Sequence, residues 1–329
     1  MGHSDKVMSI HYLRVIAALM VVCMHMFSYG LVAGVTVNPV YWMKHGVSIF
    51  LVISGFVAVV STEKLPSNAM SFIRRRLVRI APLYWIATLL LVLAGITNRG
   101  DEASLLLSLL FLPTPVHGVD RLISPTLDVG WTLCLEVAFY LFFAASMALP
   151  RRISVLGTAA ALIAIGLVGP TLASGPWTRF YLSPLVLEFG AGMLLAWTGL
   201  KAPWWLCPVG FVLLATLGSV TDNHTLAVSL PAILIVGGAR GMDSWLRPVA
   251  FLELLGNASY ALYLFHRHAL ALVVVSLLGR PAPMALLLPV GFTICVTVGV
   301  LFHRHVETPI GRALSARRKP AGIRYPIPA

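Results

Sequence analysis

The sequence predicts an all-α integral membrane protein, a bundle of about ten transmembrane helices with both termini cytoplasmic. Three observations carry this. Of 329 residues, 58% are hydrophobic and 11% charged, against about 25% charged in a soluble domain. The mean hydropathy is +0.88. The apolar residues fall in runs close to the roughly 20 residues a helix needs to cross hydrocarbon, and short hydrophilic gaps hold most of the Lys and Arg.

The predicted spans are 8–31, 45–62, 80–98, 131–149, 153–173, 181–199, 203–220, 225–239, 255–278 and 284–303. The first run is too long for a signal-peptide core, and no small-residue cleavage site follows it, so it is expected to stay as a helix. Ser104–Leu112 is too short to span and reads as a re-entrant or interfacial piece. Gly95, Pro150, Gly199, Pro203, Gly279 and Pro281 punctuate the helix ends. No inverted repeat is visible, which counts against several secondary-transporter architectures.

Charge orients the spans. Arg74, Arg75, Arg76 and Arg79 follow the second span, Arg151 and Arg152 the fourth, Lys201 the sixth, and Arg240 and Arg247 the eighth. Arg304, Arg312, Arg317, Arg318 and Lys319 follow the tenth. All these gaps share one side when both ends are cytoplasmic. The opposite gaps hold the thinner set Lys44, Arg99, Arg121, Arg179 and Arg280. The net charge of +12 therefore reads as orientation and contact with anionic lipid, or as a site for an anionic cofactor, not as a nucleic-acid surface. Residues 1–310 form the membrane domain and 311–329 a loose basic tail, with no soluble domain expected at either end. Cys23, Cys134, Cys207 and Cys295 lie in or beside apolar runs and show no metal-ligand spacing; they read as small hydrophobes, and no metal is expected.

Ionisable residues in hydrocarbon cost free energy and mark sites. Arg14 and His25 share the first span eleven residues apart, on one helix face about 16 Å apart along the axis. Snorkelling of Arg14 and a local hydrogen bond of His25 is the structural alternative. In the second span, Ser54-Gly55 is either a close-packing surface between helices or a wall of the site. Arg76 and Arg79 are three residues apart, so they share a helix face and suit phosphate oxygens bidentately; topology signal is the simpler reading of the cluster. Glu136 sits in an apolar run with Tyr140 one turn on, either protonated, paired with a cation such as Arg14, or poised near His25. Glu188 is a weaker case of the same kind. Tyr260, Tyr263 and His266 recur every three residues on one side of the ninth span. Glu307 is expected to pair with Arg304.

Together these stretches resemble the membrane acyltransferase-3 family, whose members O-acylate bacterial surface polysaccharides. The resemblance rests on Leu13-Arg14 with His25, on Gly46…Phe50 with Ser54-Gly55-Phe56, and on Arg76-x-x-Arg79-Ile-x-Pro82. Trp131-x-Leu133-x-x-Glu136-x-x-Phe139-Tyr140, Leu255-Gly256…Ser259-Tyr260-x-Leu-Tyr263-x-x-His266 and Glu307-x-Pro309 complete it. It covers nearly the whole chain, and the opening Ile10-His-Tyr-Leu-Arg looks most like the exopolysaccharide-acetylating members. The family's usual tyrosine before the motif proline is here Ala81.

The resemblance implies a bacterial inner-membrane O-acyltransferase, using acetyl-CoA or another acyl-CoA and acting on a saccharide hydroxyl of an exopolysaccharide or its lipid-linked oligosaccharide precursor. It implies functional roles for Arg14, His25, Arg76, Arg79 and Glu136. We assign His25 as general base, Glu136 as its orienting or counter-charge group and Arg14 as a holder of the donor. Arg76, Arg79 and Ser54 are assigned to the donor, and Trp131, Tyr140, Tyr260, Tyr263 and His266 to the acceptor. A proton-coupled transporter of a saccharide or organic anion, and a transferase acting on a small glycoside, are the alternatives. The ten-span topology predicts that reporter fusions at Asn223 report periplasmic and those at Arg152 cytoplasmic; a cytoplasmic signal at Asn223 breaks it.

Overall fold

The computed structural model describes residues 7–32, 40–63, 68–96, 102–116, 123–277 and 284–316. The charges predicted at Arg99, Arg121, Arg280, Arg317, Arg318 and Lys319, the punctuation at Gly279 and Pro281, and most of the basic tail lie outside these residues. The described chain is helical but for one antiparallel pair of two-residue strands, β1 (Thr114–Pro115) and β2 (Ile123–Ser124).

The helices are α1 (Met8–Val32), α2 (Gly46–Glu63), α3 (Ala69–Leu93), α4 (Glu102–Leu109), α5 (Trp131–Ser146), α6 (Arg151–Leu172) and α7 (Pro176–Tyr181). Then follow α8 (Leu185–Thr198), α9 (Leu206–Thr216), α10 (Leu230–Gly241), α11 (Ala250–Leu277), α12 (Met284–Phe302) and α13 (Thr308–Ala316). Among the described residues, 7 helical segments are long and apolar enough to cross a membrane, and Leu206–Ser219 and Thr225–Gly241 are shorter apolar helices. The 28-residue α11 has the length to cross, although it carries Glu253, His266, Arg267 and His268. This is a multi-pass membrane protein.

Two expectations shift. The third predicted span, 80–98, corresponds to a helix that starts at Ala69 and takes in the arginine cluster. Asn68 caps it by accepting from the Ser71 amide at 2.8 Å, which supplies one of the free N–H groups of the first turn a partner. Glu307 pairs with His303, not Arg304: Nδ1 and Oε2 stand 2.7 Å apart. A π-turn over His303–Glu307 puts these two half-buried side chains together and leaves Arg304 exposed. The short run near Ser104 forms α4, held to α3 by the Tyr84 hydroxyl at 2.8 Å from Ser108 Oγ and by Trp85 Nε1 donating to the Leu109 carbonyl.

With no water in hydrocarbon, polar groups must find partners on neighbouring helices, and these pairings show the packing. Near the start of α1, His11 Nε2 donates to the Glu253 carbonyl at 3.1 Å, and the Tyr12 hydroxyl donates to the Arg247 carbonyl at 2.7 Å. Near its other end His25 meets His266. The residue offset is almost constant, so α1 and α11 run side by side in one direction. α3 runs the same way: Tyr260 donates to the Ile80 carbonyl at 2.6 Å, and His268 to the Ala87 carbonyl at 2.8 Å. We call the end where α1, α3 and α11 start the near end.

α2 and α8 approach most closely at two glycines. A Cβ on Gly55 would run into the Phe189 carbonyl, and one on Gly192 into the Val52 carbonyl. Small residues drive such contacts in membranes because they let backbones touch. Gly55 is thus the packing half of Ser54-Gly55, and Ser54, about 100° around the helix, is free to face inward. Gly55→Ala or Gly192→Ala should force the helices apart and lower the yield of folded, detergent-extracted protein, by about 1–3 kcal/mol of overpacking. Gly157→Ala, with open space around the added carbon, should be neutral in the same measurement; equal losses at all three sites would contradict the packing.

Candidate functional site

Five helices turn polar residues onto one internal cavity. Arg14 comes from α1, Ser54 from α2, Arg76 and Arg79 from α3, Glu136 and Tyr140 from α5, and Tyr260 and Tyr263 from α11. Phe50, Val57 and Ile80 are among its apolar walls. One carboxyl oxygen of Glu136 accepts from Ser54 Oγ at 2.7 Å and also from the Tyr140 hydroxyl. Arg14 lies within electrostatic reach of Glu136 and Glu307, and of Arg79 with the opposite sign.

The two arginines of α3 share this cavity, as their spacing predicts, but do different things. Arg76 is 7% exposed. Its Nη2 donates to the Val57 carbonyl at 2.9 Å and to Ser61 Oγ, and its guanidinium stands 5.4 Å from the Phe72 ring and 5.2 Å from the Tyr140 ring. It is built into the wall, tying α3 to α2 and α5. Arg79 is exposed. It also lines a second, more open cavity at the near end with Arg75, His303, Glu307 and Gly311, so it stands at the throat between the two.

The tyrosines of α11 spend their hydroxyls on helix ties. Tyr260 is bound to Ile80, and Tyr263 donates to the Val129 carbonyl at 2.8 Å, with Thr132 Oγ1 at 3.0 Å. They present ring surface to the cavity. Trp131 is half-buried at the start of α5 and is not among the cavity's lining residues.

His25 and His266 form a separate pair toward the far end. His266 Nε2 is 3.2 Å from His25 Nδ1, with ring centroids 4.9 Å apart. His25 Nδ1 also meets the Val21 carbonyl at 3.0 Å, and His266 Nδ1 the Tyr263 carbonyl at 2.8 Å. Beside them Arg267 grips Asp128 with two nitrogens, at 2.8 and 3.2 Å. Tyr263 joins the two clusters: its ring lines the cavity and lies 6.1 Å from that of His266. Arg14 and His25 do share a face of α1, the one turned to α11. Glu136 and His25 do not meet; the hydrogen-bond partners of Glu136 are Ser54 and Tyr140, and the side-chain partner of His25 is His266.

The family model described as an acyltransferase domain matches residues 8–304, nearly the whole chain. The chain belongs to the acyltransferase-3 family. It is 32% identical over 302 residues to the exopolysaccharide production protein ExoZ of Rhizobium meliloti (strain 1021), covering 84% of this chain and 92% of that protein. No solved structure matches it.

For an acyltransferase the arrangement provides cations at a throat open to the near end, a doubly hydrogen-bonded carboxyl group opposite Arg14, and an imidazole pair beyond an aromatic wall. Asp128 and Arg267 were not singled out from sequence. The available signal was an arginine adjoining His266 inside an apolar run, which demands a counter-charge. Glu188 is fully buried and accepts from Ser229 Oγ at 2.9 Å, apart from both clusters.

Glu136→Gln leaves an oxygen that still accepts from Ser54 and Tyr140, but removes the charge facing Arg14. The variant should fold normally and transfer acyl groups more slowly, because the carboxylate within electrostatic reach of Arg14 is gone. Undiminished transfer would reduce Glu136 to a tie between α2 and α5.

Proposed function

We propose that this acyltransferase is an inner-membrane O-acetyltransferase with both termini cytoplasmic, moving acetyl from acetyl-CoA to a saccharide hydroxyl of an exopolysaccharide or its lipid-linked precursor. The observation that carries the reading is the throat at Arg79, where a cationic outer cavity meets an inner one that holds Arg14 and Glu136. The name of the Rhizobium relative supports the acceptor class.

In this reading Arg79, with Arg75 beside it, takes the phosphates of coenzyme A, a fit for guanidinium forks. Arg14 holds the donor arm deeper in the bundle. His25 takes the proton of the sugar hydroxyl as its oxygen attacks the thioester carbonyl, and general-base help of this kind is worth about 10²–10⁴-fold. The tetrahedral oxyanion then collapses, the carbon–sulfur bond breaks, and the coenzyme thiolate takes the proton back from the imidazolium. Tyr263 and Phe50, whose rings stand 5.9 Å apart, form a dry wall beside the reacting carbonyl, which strengthens every polar contact there. Membrane lipid surrounds the bundle and supplies the lipid-linked form of the acceptor.

The transporter reading loses its footing in a chain whose family model is an acyltransferase domain. The decisive experiment measures transfer from radiolabelled acetyl-CoA to polysaccharide by purified protein in detergent, alongside coenzyme A affinity. Arg79→Ala should raise the dissociation constant about tenfold or more while the protein still inserts. Arg76→Ala should instead lower the yield of folded protein, because it strips two hydrogen bonds from a buried wall. Normal coenzyme A binding by Arg79→Ala would sink the donor assignment.

A further inference from the structure

We infer that His266 is a positioning residue that fixes the tautomer of His25 and shares the positive charge His25 acquires during transfer; this rests on His25 being the base proposed above. The argument starts from groups that only accept. A carbonyl oxygen has no proton to give. His266 Nδ1 stands 2.8 Å from the Tyr263 carbonyl, so that nitrogen carries the hydrogen. In a neutral imidazole the other nitrogen is then a bare lone pair, and His266 Nε2 offers that lone pair to His25 at 3.2 Å.

The nitrogen it faces is His25 Nδ1, which also stands 3.0 Å from the Val21 carbonyl. Two acceptors converge on one nitrogen, so His25 Nδ1 carries the hydrogen. The lone pair of His25 is therefore on Nε2, the nitrogen that neither partner occupies. That is the tautomer a base needs, with its reactive nitrogen free of hydrogen-bond partners among the described residues.

His266 has a second effect once the proton moves. When Nε2 of His25 takes the hydroxyl proton, the ring becomes an imidazolium and its Nδ1–H becomes a charged donor. A hydrogen bond from a charged donor is roughly twice as strong as a neutral one, and its acceptor is already in place. His266 is fully buried, so no water competes for that lone pair. The neighbouring Arg267 is neutralised by its two-nitrogen grip on Asp128, which limits the opposition a bare cation would offer to a second positive charge. Tyr263 and Cys295, whose Sγ lies 3.8 Å from the His266 carbonyl, are uncharged in their ordinary state. The logic matches that of an acid–base–nucleophile triad, with a neutral imidazole as the orienting group.

The test separates acceptor from shape. In His266→Gln the side-chain amide oxygen can take the place of Nε2 and accept from His25; in His266→Leu nothing accepts. Purified variants in detergent are compared for kcat and for the KM of acetyl-CoA. The expected result is kcat within about threefold of the parent for His266→Gln and about 10- to 100-fold lower for His266→Leu, with the KM for acetyl-CoA unchanged in both. In a background of His25→Ala, adding His266→Leu should cost nothing further, because the two act as a unit. Full kcat in His266→Leu, or an equal loss in both variants, overturns the inference. Where His266→Leu does not insert, His266→Ala takes its place as the variant without an acceptor, with the same losses expected and the same outcomes overturning the inference. Failure of the underlying reading looks different, since His25→Ala would then retain transfer whatever stands at position 266.

Discussion

One oxygen of Glu136 is the point on which the interior converges. It accepts from Ser54 on α2 and from Tyr140 on its own helix, and it lies within electrostatic reach of Arg14 on α1. Tyr140 in turn flanks the Arg76 guanidinium of α3, which reaches back to Val57 and Ser61 of α2. Four helices are thereby linked through polar atoms that have no water to turn to. In hydrocarbon an unsatisfied polar group costs several kcal/mol. Each of these side chains therefore sets where its neighbour's helix can stand, and the cavity is the space the network leaves among them.

The same constraint divides the labour along α1 and α11. Their parallel course brings Arg14 to the cavity that Tyr260 also lines, and His25, about three turns further along α1, to His266. Tyr263 and Tyr260, about one and two turns before His266, bind backbone carbonyls and lock α11 to the turn before α5 and to α3. Close helix approach supplies the stiffness behind them: Gly55 and Gly192 let α2 and α8 meet backbone to backbone, and the stacked Phe139 and Phe189, 4.4 Å between centroids, fill the adjoining layer. Reactive side chains carried on packed helices hold their geometry better than side chains on loops.

The sequence made the helices legible because the solvent demands long apolar runs, and it made the polar residues of the interior legible because ionisable groups stand out against those runs. Arg14 and Glu136 were visible for that reason, Arg76 and Arg79 by their three-residue spacing, and the four do share one cavity. What stayed hidden was pairing at long range. Nothing local in Glu136 says that its hydrogen bond comes from Ser54, 82 positions away, nor in His25 that it meets His266, 241 positions away. The start of α3 was misplaced because an arginine run looks like a loop until the fold buries Arg76 among aromatic rings. The division between Arg76 and Arg79 was invisible for the same reason, since spacing reports a shared face and not what waits opposite it.

This division bears on how several cations share one buried site. If Arg76 and Arg79 were both free, two cations would stand together in a low-dielectric cavity, and burying unpaired charge is among the costliest arrangements a protein can hold. Arg76 escapes that cost by donating to Val57 and Ser61 and lying between two aromatic faces. Arg79 escapes it by exposure at the throat, with Glu307 lining the same outer cavity. Arg14, half-buried on α1, has Glu136 and Glu307 to offset it. The cation least committed to the protein is thus the one at the mouth of the outer cavity.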